Sequence, residues 1–513
     1  MSKVFKGAVA MLLTLPWLSP LAPGPSPGVV PWLVSMACAA IVVLLFSFQR
    51  NAQAQAANPT LFDVPQTFGA SVLAAGVVSA LLALLQYFDV EALFAPWVNQ
   101  TSYGEAFANL RQRNQFATLT SMALAALLWL LLQAPKPATW FRRGAVAMWL
   151  GGLSVGLLMM GNAVSSSRTG LLQLVMLFVL YGAWGQWRQP VVRWALGGAA
   201  LAYAIAAFAL PYAAGLDAAT HSTFGRLTGD AACNSRRILW SNVLTLIAQK
   251  PWLGWGWGEL DYAHFMTLYE APRFCDILDN AHNLPLHLAV ELGVPAAAII
   301  CGGFVWWALR QKPWAERDTT RQLAWAVMAL ILLHSMLEYP LWYGPFQIAF
   351  WLCVLMLRFR KTPSNLDGSF KKVSKWPVAQ VILAQAAIIL IAFVTYTAWD
   401  YHRISQIYLQ PEARAAAYSV DTLNKARSSW LFAEQIQFAE LLITPLTPAN
   451  SVWTFNTAKA LLHYSPEARV VEKLIESAVM LGRDDEALLY LARFRAAFPK
   501  AHALWVKGNR NDL

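Results

Sequence analysis

Apolar residues fill this chain in long runs from the N-terminus to about residue 397, separated by short polar segments. Each run is near the roughly 20 residues that a helix needs to cross a hydrocarbon core about 30 Å thick. Eleven spans fit, at 5–21, 29–48, 67–88, 115–133, 144–162, 169–186, 193–213, 284–308, 322–338, 341–357 and 377–397. The first is short and broken by Pro16 and Pro20. A short basic stretch, Met1 to Lys6, precedes it as in a secretory leader. No A-x-A-like site follows cleanly, so the run reads as an uncleaved first span. The pattern predicts an all-α polytopic membrane protein of about eleven transmembrane helices.

Orientation follows from Lys and Arg in the short loops, which are enriched on the cytoplasmic side. One alternating set carries Arg50; Lys136, Arg142 and Arg143; Arg188 and Arg193; Arg310, Lys312, Arg317 and Arg321; then Arg358, Arg360, Lys361, Lys371, Lys372 and Lys375. The opposite short loops, 22–28 and 339–340, carry none. An odd span count then puts the long loop and the tail on the outer side. Four regions result: an N-terminal transmembrane region 1–213, a large periplasmic loop 214–283, a second transmembrane region 284–397 and a soluble helical tail 398–513.

Composition agrees: 57% of residues are hydrophobic and only 13% are charged, too few charges to cover a soluble protein of this size. The net charge of +11 would suggest nucleic acid in a soluble chain. Here the basic residues sit between spans, so topology accounts for them and no nucleic-acid partner is expected.

The tail is charged and periodic. Residues 465–498 read as two amphipathic helices with a turn at Leu481-Gly482-Arg483-Asp484. Ser465-Pro466-Glu467-Ala468 opens the first, with proline at its first position. EALLYLARFRAAFP is similar to the second helix of a tetratricopeptide hairpin. Such a tail is either a binding platform or a packed cap.

Cys38, Cys301 and Cys353 fall within spans and read as small buried hydrophobes. Cys233 and Cys275 share the large loop; on the oxidising side they either form a disulfide or stay as two thiols.

Candidate chemistry concentrates at the outer face. Asn234 to Trp240 opens a helical stretch running to about Gln249, after which Lys250-Pro251-Trp252-Leu253-Gly254-Trp255-Gly256-Trp257-Gly258 makes a compact turn. Arg168, Arg236 and Arg237 either bind an anion, since the guanidinium fork suits phosphate oxygens, or snorkel to lipid phosphate. His282 either serves as a general base towards a hydroxyl or bonds a backbone carbonyl at a helix end. His287, five residues on, does not make a clean metal pair with it. His334 and Glu338 lie at i, i+4 and can pair with each other.

These residues resemble a family. Arg236-Arg237-Ile238-Leu239-Trp240, Pro251 and the Gly254 to Gly258 turn are similar to the outer-loop motif of the O-antigen ligase and polymerase superfamily. His282-Asn283, nine residues, then Gly293 resembles its ligase motif. Gln112-Arg113-Asn114, DNAHNLPLHLAVELG, HSMLEYPLWY at 334–343 and the segment from Ser428 to Glu434 more closely resemble one branch, the PglL-type bacterial protein O-oligosaccharyltransferases. The resemblance implies a GT-C-like membrane glycosyltransferase of the bacterial inner membrane with its site on the periplasmic face. It implies a donor oligosaccharide on undecaprenyl diphosphate and an acceptor hydroxyl of Ser or Thr on a pilin-like exported protein, or lipid A-core in the ligase branch. The essential histidine corresponds to His282, and the donor-binding arginines to Arg168 and Arg236, with Arg237 adjacent. Asn283, His334, Glu338 and Tyr339 belong to the shared motifs as supporting positions without a matched role.

The diphosphate is already a good leaving group, so the reaction needs charge neutralisation and a deprotonated acceptor. Arginines supply the first, an imidazole the second, and direct displacement inverts the anomeric centre. The loop 21–28 has no carboxylate and no DxD occurs, so metal independence and no cofactor are expected. The rival enzyme reading is an O-antigen ligase or a polysaccharide polymerase. A transporter would need mid-span ionisable residues or repeated halves with broken helices, and the spans show few of the former and no repeat. A non-catalytic assembly scaffold would not require these arginines and His282 together.

Overall fold

The computed structural model describes residues 3–48, 63–133, 143–217, 233–358 and 376–511. Arg50, Lys136, Arg142, Arg360, Lys361, Lys371, Lys372 and Lys375, on which the orientation partly rests, lie outside the described residues. Every regular element among the described residues is a helix. The α-helices are α1 (Lys3–Leu18), α2 (Val29–Phe48), α3 (Asp63–Tyr87), α4 (Arg113–Gln133), α5 (Arg143–Val164), α6 (Arg168–Ala183), α7 (Pro190–Ala213), α8 (Arg236–Gln249), α9 (Leu260–Met266), α10 (Leu284–Leu292), α11 (Val294–Gln311), α12 (Thr319–Ser335), α13 (Gly344–Arg358) and α14 (Trp376–Ser405). The tail adds α15 (Thr422–Ala426), α16 (Ala433–Ile443), α17 (Ser451–Leu461), α18 (Ala468–Met480), α19 (Asp484–Ala497) and α20 (Pro499–Asn511).

Five of the described helices are long and apolar enough to cross a membrane: Val29–Phe48, Val64–Tyr87, Arg113–Gln133, Pro190–Ala213 and Val378–Tyr408. Met148–Val164, Arg168–Ala183 and Gly344–Arg358 are shorter apolar helices. The chain is a multi-pass membrane protein. Its contacts divide it into two units. The first holds residues 1–22, 27–229 and 311–396; the second holds 23–26, 230–310 and 397–513.

Within the first unit, α4 is the central helix, and every residue from Gln115 to Trp129 is buried. Lipid tails are as apolar as leucine, so close packing and interhelical hydrogen bonds hold such helices together. Both are present. A Cβ on Gly76 of α3 would lie 2.4 Å from the Ala123 Cβ of α4, and one on Gly161 of α5 would lie 2.8 Å from the Ala80 Cβ of α3. Small residues thus set the helix spacing. Asn162 Nδ2 of α5 donates to Thr120 Oγ1 at 2.8 Å and to Ala117 O at 3.3 Å, satisfying polar groups that have no water to turn to.

In the second unit, α8, α10 and the segment before α10 share a core of Leu239, Val243, Leu246, Ala281 and Val290. The tail has its own core, with Phe438, Phe455, Leu474, Tyr490 and Phe494 buried. Helix α18 buries Val470, Val471, Leu474, Ile475 and Ala478, the spacing of one helical stripe. The turn to α19 carries Gly482 at φ +66°. Helix α18 begins at Ala468, not at Pro466; Glu467 is its extended N-cap residue, with φ −74° and ψ 154°. The short α9 joins the two cores: Leu260 and Ala263 belong to the loop core and Phe265 to the tail core. Tyr262 stacks on His463 at 3.8 Å, and the His463 Nδ1 lies 2.7 Å from Glu259 Oε2. At the foot of the tail, buried Asp400 accepts from Arg403 Nε at 2.6 Å and from Ser429 Oγ at 2.7 Å.

The run expected as one span at 284–308 is two helices, α10 and α11, broken at Gly293. Gly293 has φ +86° and ψ 158°, a conformation essentially restricted to glycine, and Pro295 follows in the first turn of α11.

Candidate functional site

The large loop is closed by a disulfide between Cys233 and Cys275, with Cα atoms 5.5 Å apart. Just after Cys233, Ser235 caps α8 by accepting the Ile238 N–H. Arg236 and Arg237 therefore occupy the first turn of α8, where unpaired N–H groups and the helix dipole already favour an anion. Their surroundings differ: Arg236 is half-buried and Arg237 is exposed.

Trp240, one turn further on, donates its indole N–H to Ala281 O at 3.1 Å and so ties the segment before α10 to α8. Ala281 is fully buried. The next residue, His282, stands at φ +50°, uncommon for a residue with a side chain. Its N–H donates to Asn280 Oδ1 at 2.9 Å, and Asn283 caps α10 by accepting the Leu286 N–H at 3.2 Å. Two asparagines and a buried alanine thus hold His282, half-buried, at the mouth of α10.

The glycine and tryptophan turn has a structural task. Trp255 N–H donates to Val290 O at 2.9 Å, Gly256 N–H to Glu291 O at 3.0 Å, and Val294 N–H to Pro251 O at 2.8 Å. The turn is bonded backbone to backbone onto the end of α10. A Cβ on Gly254 would lie 2.3 Å from Glu291 O, and one on Gly293 would lie 2.1 Å from Trp252 O. Both positions must be glycine for the two segments to interlock. Glu291 Oε1 also accepts the Gly258 N–H at 3.1 Å, while its other oxygen lies 3.5 Å from His287 Nε2. Gly293→Ala should cost about 1–3 kcal/mol from the backbone conformation alone, before the clash with Trp252. A lower melting temperature and faster proteolysis of the outer loop would show it; a wild-type melting curve would refute the interlock.

A second histidine in the loop is structural. His264 is buried; Nε2–H donates to Phe274 O at 3.1 Å, which leaves Nδ1 to accept from the Tyr269 hydroxyl at 2.8 Å. Burial, and then the Arg273 charge, lower its pKa from the ordinary 6.5 to about 3. The unfolded chain takes up this proton below about 6.5 while the folded chain refuses it. Its stabilising effect is therefore complete above that pH and is lost as pH falls towards 3. His264→Gln should flatten the fall in melting temperature between about pH 7 and pH 4. An unchanged slope would assign the acid sensitivity elsewhere.

In the first unit, Arg168 begins α6 and is exposed. Ser166 before it has φ +51°, and Ser167 caps the helix by accepting the Gly170 N–H at 3.1 Å. Ser167 Oγ donates to Asn114 Oδ1 at 2.6 Å, and Asn114 Nδ2 donates to Glu338 Oε1 at 3.1 Å. The Thr118 hydroxyl donates to Asn114 O at 2.8 Å and accepts from Gln173 Nε2 at 2.8 Å; His334 Nδ1 lies 2.9 Å from it and is then an N–H donor. His334 and Glu338 thus both bond residues of α4. The helix α12 ends at Ser335, yet the Glu338 N–H still donates to His334 O at 2.8 Å, so the i, i+4 backbone relation carries on past the helix end. Tyr339 stacks on Tyr343 at 5.9 Å. Sequence pattern alone does not single out Asn114, Ser167 or Glu291, although Asn114 and Glu291 stand inside the motifs that resemble the family. Among the described residues no three His, Cys, Asp or Glu side chains form a group able to hold a metal.

Residues 153–301 match a family model described as O-Antigen ligase, which takes in Arg168, Arg236, Arg237, His282, Asn283 and Gly293. Residues 322–511 match one described as Virulence factor membrane-bound polymerase, C-terminal, and 106–131 match one described as Protein glycosylation ligase. Two curated proteins of Acinetobacter baylyi are similar. A General O-oligosaccharyltransferase is 24% identical over 282 residues, 54% of this chain and 47% of that protein. A ComP-specific O-oligosaccharyltransferase is 25% identical over 279 residues, 53% of this chain and 47% of that protein. The matched region thus spans about half the length of these relatives. No solved structure matches. The resemblance to the O-antigen ligase and polymerase superfamily, close to its PglL-type branch, is shown by these findings.

Proposed function

We propose that this protein transfers an oligosaccharide from undecaprenyl diphosphate to Ser or Thr hydroxyls of exported, pilin-like proteins, at the periplasmic face of a bacterial inner membrane. The observation that carries the reading is the loop in which Trp240 ties Ala281, and hence His282, to the helix that begins at Arg236. That arrangement keeps a base and an anion-binding helix start on one disulfide-closed, glycine-locked scaffold, and the named relatives are oligosaccharyltransferases.

Arg236, backed by the N-terminal dipole of α8, binds the donor diphosphate and offsets the charge that grows as the anomeric C–O bond breaks. Arg168 is a second donor-binding arginine, presented by the Ser167, Asn114 and Glu338 chain of hydrogen bonds. His282 takes the acceptor proton as the hydroxyl oxygen attacks the anomeric carbon. The lipid diphosphate leaves with the bonding electrons, and the anomeric configuration inverts. No step calls for a metal. Because the arginines address diphosphate and not sugar, a range of glycans is accepted.

The match to the O-antigen ligase description favours one rival, transfer to lipid A-core. Purified protein in nanodiscs, given lipid-linked donor with either a pilin or lipid A-core, separates them. Glycosylated pilin supports the proposal. Glycosylated lipid A-core with unmodified pilin replaces it, and intact donor in both arms refutes transfer altogether.

A further inference from the structure

Beyond the transfer reaction, we propose that Trp252 and Leu253 form a membrane-interface anchor, inserted at the headgroup level of the leaflet that borders the start of α11. Both are large, apolar and open: Trp252 is 76% exposed and Leu253 86%. They are adjacent in sequence and stand on the turn that interlocks with the end of α10.

The tip is fixed to a helix whose exposed face is apolar. Helix α11 is 18 residues long, has no charged residue before Arg310, and exposes Ile299, Ile300, Val305, Trp306 and Leu309. Such a face suits an apolar surround better than water. Its first residue, Val294, is itself half exposed, and its N–H bonds Pro251 O at 2.8 Å. The residue before it, Gly293, touches Trp252 O closely enough that no Cβ fits. Trp252 and Leu253 therefore continue the apolar surface of α11 and are held rigidly at its N-terminal end. Nearby, exposed Lys250 lays its ammonium 3.9 Å over the Trp255 ring, at the level where lipid phosphates would lie. Indole beside cation at the end of a lipid-facing helix is the arrangement that an interface favours. The occupant is the lipid surface, because the tip continues the uncharged, apolar exposed face of α11 and carries no acidic pattern that would select a peptide.

The test places a fluorophore at the tip. With Cys38, Cys301 and Cys353 replaced by alanine and the Cys233–Cys275 disulfide kept, Leu253→Cys is labelled with bimane in nanodiscs of phosphatidylcholine and phosphatidylglycerol. Ile299→Cys on α11 is the lipid-facing reference and Ser241→Cys on exposed α8 surface the aqueous one. Doxyl groups near the headgroup should remove most of the emission at position 253, as at 299, with a blue shift. Iodide should quench 241 far more than 253. Trp252→Cys repeats the measurement should the first label disturb the turn. Iodide quenching at 253 equal to that at 241, with no effect of doxyl lipid, overturns the proposal. So does a label shielded only after an exported acceptor protein is added, which makes the tip a protein-docking surface.

Discussion

Replacing His282 by alanine is expected to reduce transfer by roughly 10²–10⁴-fold, the usual contribution of a general base, while the chain still inserts and keeps its loop disulfide. Alanine changes two things at once, because position 282 has φ +50° and alanine tolerates that conformation less well than histidine or asparagine do. His282→Asn separates them. Asparagine readily adopts the left-handed backbone and retains the N–H that bonds Asn280, but it cannot accept a proton at neutral pH. Equal losses for alanine and asparagine, with unchanged melting temperature for asparagine, assign the effect to the imidazole. Full activity in the asparagine variant would reduce His282 to a turn residue. Turnover of lipid-linked donor in nanodiscs is the measurement.

The second large effect should come from Arg236 and not from its neighbour. Losing a group that stabilises developing charge costs on the order of 3–4 kcal/mol, or about 10²–10³ in rate. Arg236→Ala should show that loss. Arg237→Ala, at an exposed position on the same first turn, should lose far less. Arg236→Lys should recover part of the activity, because an ammonium keeps the charge but cannot bond two phosphate oxygens in the fork geometry. If the order of the two alanine variants is reversed, the donor lies on the outer side of α8 and the assignment of Arg236 is wrong.

Much of the helical order is legible in the sequence because apolar runs report on length directly. Helix α2 occupies 29–48, the run read from sequence, and α4, α5 and α7 begin within a few residues of their expected starts. The break at Gly293 is hidden for a physical reason. Gly and Pro are tolerated inside membrane helices, so Gly293-Val294-Pro295 within an apolar run does not announce a stop. What requires glycine at the break is the Trp252 carbonyl, some forty residues away in sequence. The same limit applies to His334 and Glu338. Their spacing shows that they can pair with each other, but not that Thr118 and Asn114 of α4, distant in the chain, also bond them. The motif residues are readable as types, arginine for anion and imidazole for base. Choosing between Arg236 and Arg237 needs the register of α8 against its core, which the sequence leaves open over a single turn.

The double allegiance of α9 has a practical consequence for engineering. Seven residues give Leu260 and Ala263 to one hydrophobic interior and Phe265 to another. A truncated chain that stops at residue 397 leaves Phe265 bare to water. A chimera that imports a foreign C-terminus must find a pocket for it. The tail therefore cannot be exchanged at the apparent seam near 398; the exchangeable cassette has to carry α9 along with the helices that shelter it.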